Sequence, residues 1–268
     1  MTAPRKAPAR TDSAGQPWAG RSFAHVPPST DDGSAPPALL DAIERFQAGQ
    51  AAEADVVDVL REVRLFVPLV ARIAEPGADS ETAAHKRAEM SIVTVAGPDG
   101  RNVLPAFSSV EALQRWNPKA RPVAQKMQLV ALAAASDGTD LVVLDATSPT
   151  EFAIRRPALW ALAQSLPWTP SYSDPTVLAE FVAAARTEPR VAAVQLVAGD
   201  PTARLSGPEL VVLVAIDDGA DERELEAIVA RMRARWTAST VIAERVDSLG
   251  VRLVPSAGLH GSGSDTVA

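Results

Sequence analysis

Between residues 38 and 255 the sequence alternates short apolar runs rich in β-branched residues with segments whose apolar residues recur every three or four positions. The run LVVL at 141–144 predicts a buried strand, and the spacing of Val177, Phe181 and Ala185 predicts an amphipathic helix. Hairpins and helices in mixed order are typical of an α+β fold, in which helices pack on mixed sheets. Hydrophobic residues make up 47% of the chain, which is enough for such a core.

Composition divides the chain into four parts. Residues 1–37 hold seven of the 22 prolines and few apolar side chains, so we expect a disordered tail there. We expect one small α+β domain at 38–166 and a second at 174–255, with a proline-containing linker between them. Residues 256–268 are rich in glycine and serine and are expected to form a flexible tail.

Local signals predict several details of these domains. Ser108 is followed three residues later by Glu111, which is the pattern of a capping box at a helix start. Pro68 lies within a predicted strand at 65–70, and because proline has no N–H to donate, this favours an edge strand or a bulge. The β-rich run at 240–245 predicts a further strand.

A short basic run occurs in the long helix that we predict after Asp221. Arg231, Arg233 and Arg235 alternate with other residues, so they point to different sides of the helix. The run is compatible with an acidic partner or with a solvated, dipole-compensating end of the helix, and the latter is our expectation.

Several chemistries are excluded or disfavoured by what the sequence lacks. There is no cysteine, so disulfides and thiolate sites are excluded, and His85 is the one histidine inside the predicted domains. A net charge of −7 is unlike that of a duplex-binding domain, so we expect no nucleic-acid partner. No run approaches the about 18 apolar residues of a membrane helix, and the first residues do not resemble a signal peptide. We therefore expect a cytoplasmic protein without a membrane partner.

The central part of the first predicted domain resembles a known family. Residues 103–113 read VLPAFSSVEAL and are followed by Trp116, which is similar to the P-A-F-T-S-x-E-A-L stretch of SseB-family proteins. The strand at 65–70 and the segment 141–159 are also similar to that family, whose name refers to enhanced serine sensitivity. The resemblance implies an SseB-like N-terminal domain and an SseB C-terminal domain over residues 38–255. It brings no established catalytic residues with it.

The predicted ligand-binding residues lie where strands end or helices begin. Ser108 and Ser109, next to Phe107, are placed to bind an anion at a helix start or simply to cap that helix. Asp145 closes an apolar strand, which suits either a ligand-binding carboxylate or a turn residue. Arg155 is a candidate anion ligand beside Asp145, or else a solvated residue at a helix start.

These residues favour recognition over catalysis. Our leading hypothesis is a non-enzymatic cytoplasmic protein that binds a protein partner or a small anionic metabolite, with no cofactor and no metal. One alternative is a carboxylate-based, metal-dependent hydrolase that uses Asp145, Asp217 or Asp218. Another is a structural assembly subunit, which would form a defined oligomer through an exposed apolar patch.

Overall fold

Helices and strands follow one another in mixed order along the chain. The structure is a computed structural model, which describes residues 31–73, 88–92, 94–97, 100–136, 138–139 and 141–256. The α+β fold is confirmed. Of the predicted tails at 1–37 and 256–268, residues 1–30 and 257–268 lie outside the described residues, as does the segment 74–87. The helices are α1 (Pro37–Gln47), α2 (Glu53–Leu60), α3 (Val110–Trp116), α4 (Met127–Ser136), α5 (Arg156–Gln164), α6 (Pro175–Ala185), α7 (Glu222–Ala238) and α8 (Thr240–Arg245), with a 3-10 turn at Ser171–Ser173.

The strands form three sheets in the described residues. The first has the order β2-β1-β5, the second β3-β4-β6-β7 and the third β10-β9-β8. All neighbours are antiparallel except β4 with β6 and β9 with β10, which are parallel. The strands are β1 (Arg64–Ile73), β2 (Ala88–Ile92), β3 (Val95–Ala96), β4 (Asn102–Ala106), β5 (Arg121–Lys126), β6 (Leu141–Leu144), β7 (Phe152–Arg155), β8 (Val191–Ala198), β9 (Leu210–Ile216) and β10 (Leu249–Pro255).

Each half of the chain has its own apolar core. In the first half, helices α1, α2, α4 and α5 pack against β1, β4, β6 and β7, around fully buried side chains such as Ile43, Leu65 and Leu144. In the second half, α6 and α7 cover the face of β9 that carries Leu210, Val212 and other alternate residues. The predicted division into two domains at the connecting segment stays a prediction.

β1 lies between β2 and β5 in its sheet, but its pairing with β2 begins at Leu69, one residue after Pro68. The strand as a whole is therefore not an edge strand, whereas Pro68 itself pairs with β5 alone within the described residues. Pro68 is opposite Pro122 of β5. Phe66 exchanges both of its backbone hydrogen bonds with Phe107, on the side away from β5. Two residues further along, Pro68 turns its nitrogen to the same side, so its missing N–H removes no bond between β1 and β5.

The predicted strand at 240–245 is wrong, since these residues form helix α8. Ser239 caps the helix by accepting a hydrogen bond from the Ile242 N–H at 3.3 Å. Ile242 and Val246 are four residues apart, and helical spacing brings both side chains to the side that is buried against the second core. Capping and burial therefore override the β propensity of the run.

Two of the three arginines expected to be solvated in α7 are exposed and also bind a carboxylate, the side chains of Arg231 and Arg235 being 52% and 43% exposed. Arg231 and Arg235 are one helical turn apart and both bind Glu188, at 2.6 and 3.1 Å respectively. The Glu188 side chain is 3% exposed, and its hydrogen bonds from Arg231 hold the pKa of Glu188 below its usual value. The pair thus fastens α7 to the end of α6.

Candidate functional site

Ser108 and Asp145 meet because they follow two neighbouring parallel strands, β4 and β6, whose carboxyl ends lie side by side. The Ser108 N–H donates to Asp145 Oδ1 at 2.8 Å, and the Ser108 hydroxyl donates to Oδ2 at 2.7 Å. The Thr150 hydroxyl donates to the same Oδ2 at 2.9 Å. Ser108 is 2% exposed and Asp145 is 1% exposed. The carboxylate is therefore enclosed by donors of the protein itself.

The capping box predicted at Ser108 is wrong by one residue. Ser109 caps α3, its hydroxyl accepting from the Ala112 N–H at 3.0 Å. Glu111 pairs instead with Arg115, one turn further along, at 2.6 Å. The Ser108 N–H, which the Glu111 carboxylate would accept in a capping box, donates to Asp145 instead.

The turn at 145–151, here called the Asp145 turn, contains strained backbone. Asp145 has φ 47° and Thr147 has φ 66°, a region that is costly for a β-branched residue. The turn is held by hydrogen bonds from Thr147 N–H to Glu151 and from Ser148 N–H to the Asp145 carbonyl. A cleft of about 20 Å³ lies between this turn and Trp116, which is room for little more than one water molecule.

Phe107 is a core residue rather than an exposed contact. It is fully buried, and its ring centroid lies 5.2 Å from that of Trp116. Together with Phe66 and Leu113 it forms a small apolar cluster under α3. Of the five predicted site residues, the structure brings Ser108 and Asp145 into direct contact and leaves Phe107 and Ser109 as their structural neighbours.

Arg155 lies at the far end of the sheet from Asp145. It is opposite Leu141, where β6 begins, whereas Asp145 follows the other end of that strand. The Arg155 side chain is 4% exposed and pairs with Asp200 at 2.7 Å and with Asp247 at 3.2 Å. It also donates to the Gly207 carbonyl at 2.9 Å. We call these residues, with Arg101, which binds Asp247 at 2.9 Å, the Arg155 cluster.

The Arg155 cluster connects the two halves of the chain, since Asp200 and Asp247 belong to the second half. Asp200 also organises the loop after β8 by accepting from the Leu205 N–H at 2.8 Å and the Ser206 hydroxyl at 2.6 Å. Burial alone would raise the pKa of Asp200, but the hydrogen bonds from Ser206 and Arg155 outweigh it and lower the pKa.

The same loop completes the edge of the second sheet. The Ala153 N–H of β7 donates to the Ala203 carbonyl at 2.6 Å. Ala203 and Leu205 have φ 50° and 57° and are nearly fully buried against the first half of the chain. Arg155 therefore holds a strained loop in place through its hydrogen bonds to Asp200 and Gly207. Its guanidinium N–H groups are used within the protein rather than to bind a ligand.

A surface that the sequence analysis missed lies on helices α4 and α5. Leu129, Leu132, Trp160 and Leu166 are 42–52% exposed. Leu129 and Leu132 belong to α4, Trp160 belongs to α5, and Leu166 follows α5 by two residues. The two helices contact each other, and the Gln128 amide of α4 donates to the Ser165 hydroxyl, just after α5, at 2.6 Å. We call this surface the α4–α5 face. Its signal in the sequence is that residues 127–135 are apolar on every side of the helix except at Gln128.

The described residues contain no group of three acidic or histidine side chains positioned to hold a metal ion. Asp217 and Asp218 follow β9 in the third sheet, whereas Asp145 follows β6 in the second. The aspartates of the metal-hydrolase hypothesis are thus not brought together. Within the same residues, none of the helices is both long and apolar enough to cross a bilayer.

Part of the chain is similar to a known protein family. Residues 38–161 match the family model described as the SseB protein N-terminal domain, which covers the chain from α1 into α5. No curated protein and no solved structure matches the chain. The model does not extend to the second half, so the SseB C-terminal domain stays a prediction. Through residues 38–161, which include the Asp145 turn and helix α4, the chain carries the N-terminal domain of the SseB family.

Proposed function

We propose that this SseB-family protein is a non-enzymatic binding protein that recognises a protein partner through the α4–α5 face. The observation that carries the proposal is the exposure of Leu129, Leu132, Trp160 and Leu166 on two contacting helices and the segment just after α5. Single exposed apolar side chains are ordinary, but several large ones together are typical of a surface that another protein covers.

The composition of α4 supports this reading. Its inner side is buried through Met127, Val130 and Ala134, yet its outer side also carries leucines. A helix that is apolar on all sides is normally enclosed on all sides. We expect the bound partner to cover the outer side of α4.

The border of the face indicates what kind of partner it suits. The Arg156 guanidinium lies over the Trp160 ring, 5.4 Å from its centroid. It donates to the carbonyls of Ala243 and Val246, which do not neutralise its charge. Tryptophan beside arginine is a common composition of binding hot spots. We therefore propose an amphipathic partner segment with apolar side chains flanked by acidic ones.

A small anionic metabolite bound at the predicted residues Ser108, Asp145 and Arg155 is less well supported. Metabolite sites are typically clefts of about 300–1,000 Å³, far larger than the about 20 Å³ beside the Asp145 turn. Asp145 and Arg155 are both engaged with groups of the protein. The same enclosure argues against the alternative of a hydrolase that uses Asp145, because the cleft beside this carboxylate would not admit a substrate.

Site-specific photo-crosslinking in cells tests the proposal. A photoreactive residue at position 132 or 160 should form one discrete crosslinked product, and the same residue at Arg186, which is exposed at the end of α6, should not. The product should disappear in the Leu129→Gln variant. Equal crosslinking at all three positions, or none, would contradict the proposal.

A thermal-shift series with amino acids and nucleotides tests the metabolite alternative. We expect no saturable shift of the melting temperature with any of them. A saturable shift that the Ser108→Ala variant removes would instead favour a metabolite site at the Asp145 turn. The cytoplasmic location predicted from the sequence is part of the proposal, and cell fractionation would test it.

A further inference from the structure

An apolar groove lies in the second half of the chain, between α7 and the outer edge of β10. It has a volume of about 450 Å³ and an apolar floor formed by Leu225, Val229 and Leu253. Leu253 is 37% exposed although it lies on the core side of its strand, in register with Val214. The groove is separate from the α4–α5 face.

Strand β10 borders this groove with an open edge among the described residues, since its sheet has the order β10-β9-β8. The Leu210 N–H of β9 donates to the carbonyl of Ser248, just before β10. In this parallel ladder the even-numbered residues of β10 therefore turn their backbone N–H and C=O groups towards β9. Leu249, Val251 and Leu253 consequently turn their backbone N–H and C=O groups to the open edge. Such an edge is a template for another strand.

The charges on the groove side of α7 are divided along the helix. Glu222 and Glu226 lie in its first half, and Arg233 lies in its second half. Glu226 and Arg233 are seven residues apart, which places them on the same side of the helix. Arg233, unlike Arg231 and Arg235, has no carboxylate partner in the described part of the chain.

This arrangement is complementary to itself. If two copies of α7 pack antiparallel about a two-fold axis, Glu226 of each copy lies opposite Arg233 of the other, and Val229 lies near the axis. The same axis would pair β10 with β10 antiparallel and join the two sheets. A parallel alignment would place like charges together and leave the strand edges open.

We propose that the α7–β10 groove is the contact surface between two copies of this chain in a two-fold symmetric dimer. Each copy buries its exposed Leu253 against the other, and the open edge of β10 is satisfied by its symmetry mate. The proposal is independent of the partner-binding role of the α4–α5 face.

Sedimentation equilibrium of the full chain over a wide concentration range tests this dimer. We expect a monomer–dimer equilibrium that Arg233→Glu weakens about tenfold or more, because two like-charge contacts replace two opposite ones. The double variant Glu226→Arg/Arg233→Glu exchanges the charges and should restore the dimer. Arg186→Glu changes net charge equally, outside the groove, and should leave the equilibrium unchanged.

Three results would overturn the proposal. One is a monomeric wild-type chain at every concentration. The second is a dimer that neither Arg233→Glu nor Leu253→Glu weakens. The third is a double variant that stays monomeric while its circular dichroism spectrum and melting temperature match those of the wild type, because the proposed charge pairing would then be absent.

Discussion

Because of Glu53, the free energy of unfolding should fall as the pH rises from 4.5 to about 7. Its carboxyl group is at the start of α2 and is largely buried, with Oε2 accepting from the Tyr172 hydroxyl at 3.1 Å. Burial raises the pKa of Glu53 from 4.5 to about 7, and the nearby Glu209 carboxylate adds to this, while the hydrogen bond from Tyr172 opposes it.

The sign of the effect follows from proton binding. Between pH 4.5 and about 7 the unfolded chain has lost the Glu53 proton, whereas the folded chain keeps it. The free energy of unfolding therefore falls as the pH rises across this window. The difference in pKa, at about 1.4 kcal/mol per pH unit, amounts to about 3 kcal/mol lost by about pH 7.

Glu53→Gln removes this dependence, because an amide has similar size, carries no charge and still accepts from Tyr172. We expect the variant to be more stable than the wild type by up to about 3 kcal/mol above pH 7 and by about nothing near pH 4. Urea unfolding at a series of pH values measures this. The matched control Glu62→Gln, on the exposed surface nearby, should stay within about 0.5 kcal/mol of wild type. An unchanged pH slope between 4.5 and 7 in Glu53→Gln would refute the reasoning.

Three further substitutions are informative. Asp145→Asn should lower the free energy of unfolding, measured in urea, by about 1–3 kcal/mol, because an amide cannot accept all three hydrogen bonds. Asp217→Asn is the control at an exposed position. Equal effects of the two substitutions would contradict the role of Asp145. Arg155→Met should cost about 3–5 kcal/mol, since it leaves Asp200 buried without its cation; hydrogen exchange that shows no loosening of residues 199–208 would argue against this. Leu129→Gln should leave the melting temperature nearly unchanged, as expected for an exposed residue, and a large decrease would mean that α4 needs this leucine for folding.

Most of the secondary structure could be predicted from the sequence because it depends on near neighbours. The apolar spacing of α6 and the cap at Asp174 are local signals, and the structure shows both, with the Asp174 carboxylate accepting from the Thr176 N–H at 2.8 Å. The continuous apolar run of β6 correctly indicates a strand buried on both faces. The failure at α8 shows the limit, since a segment that begins with three β-prone residues, Thr240, Val241 and Ile242, forms a helix where a cap and a core position are available.

The candidate site could be predicted only in part. The sequence indicates that Asp145 ends a strand and that Ser108 begins a helix, but the two are 37 residues apart and their hydrogen bond depends on the order of strands in the sheet. Arg155 was grouped with Asp145 because it is near in sequence. The antiparallel turn between β6 and β7 instead sends it to the opposite end of the sheet.

The sequence by itself determined the α+β class, nearly every helix and strand, and the absence of thiol chemistry, because periodicity, capping and composition act over a few residues. Only the tertiary structure decided which carboxylates are enclosed, that Arg155 joins the two halves, and that α4 and β10 keep apolar side chains at the surface. Burial and pairing depend on residues brought together from distant parts of the chain, and no local pattern encodes which ones meet.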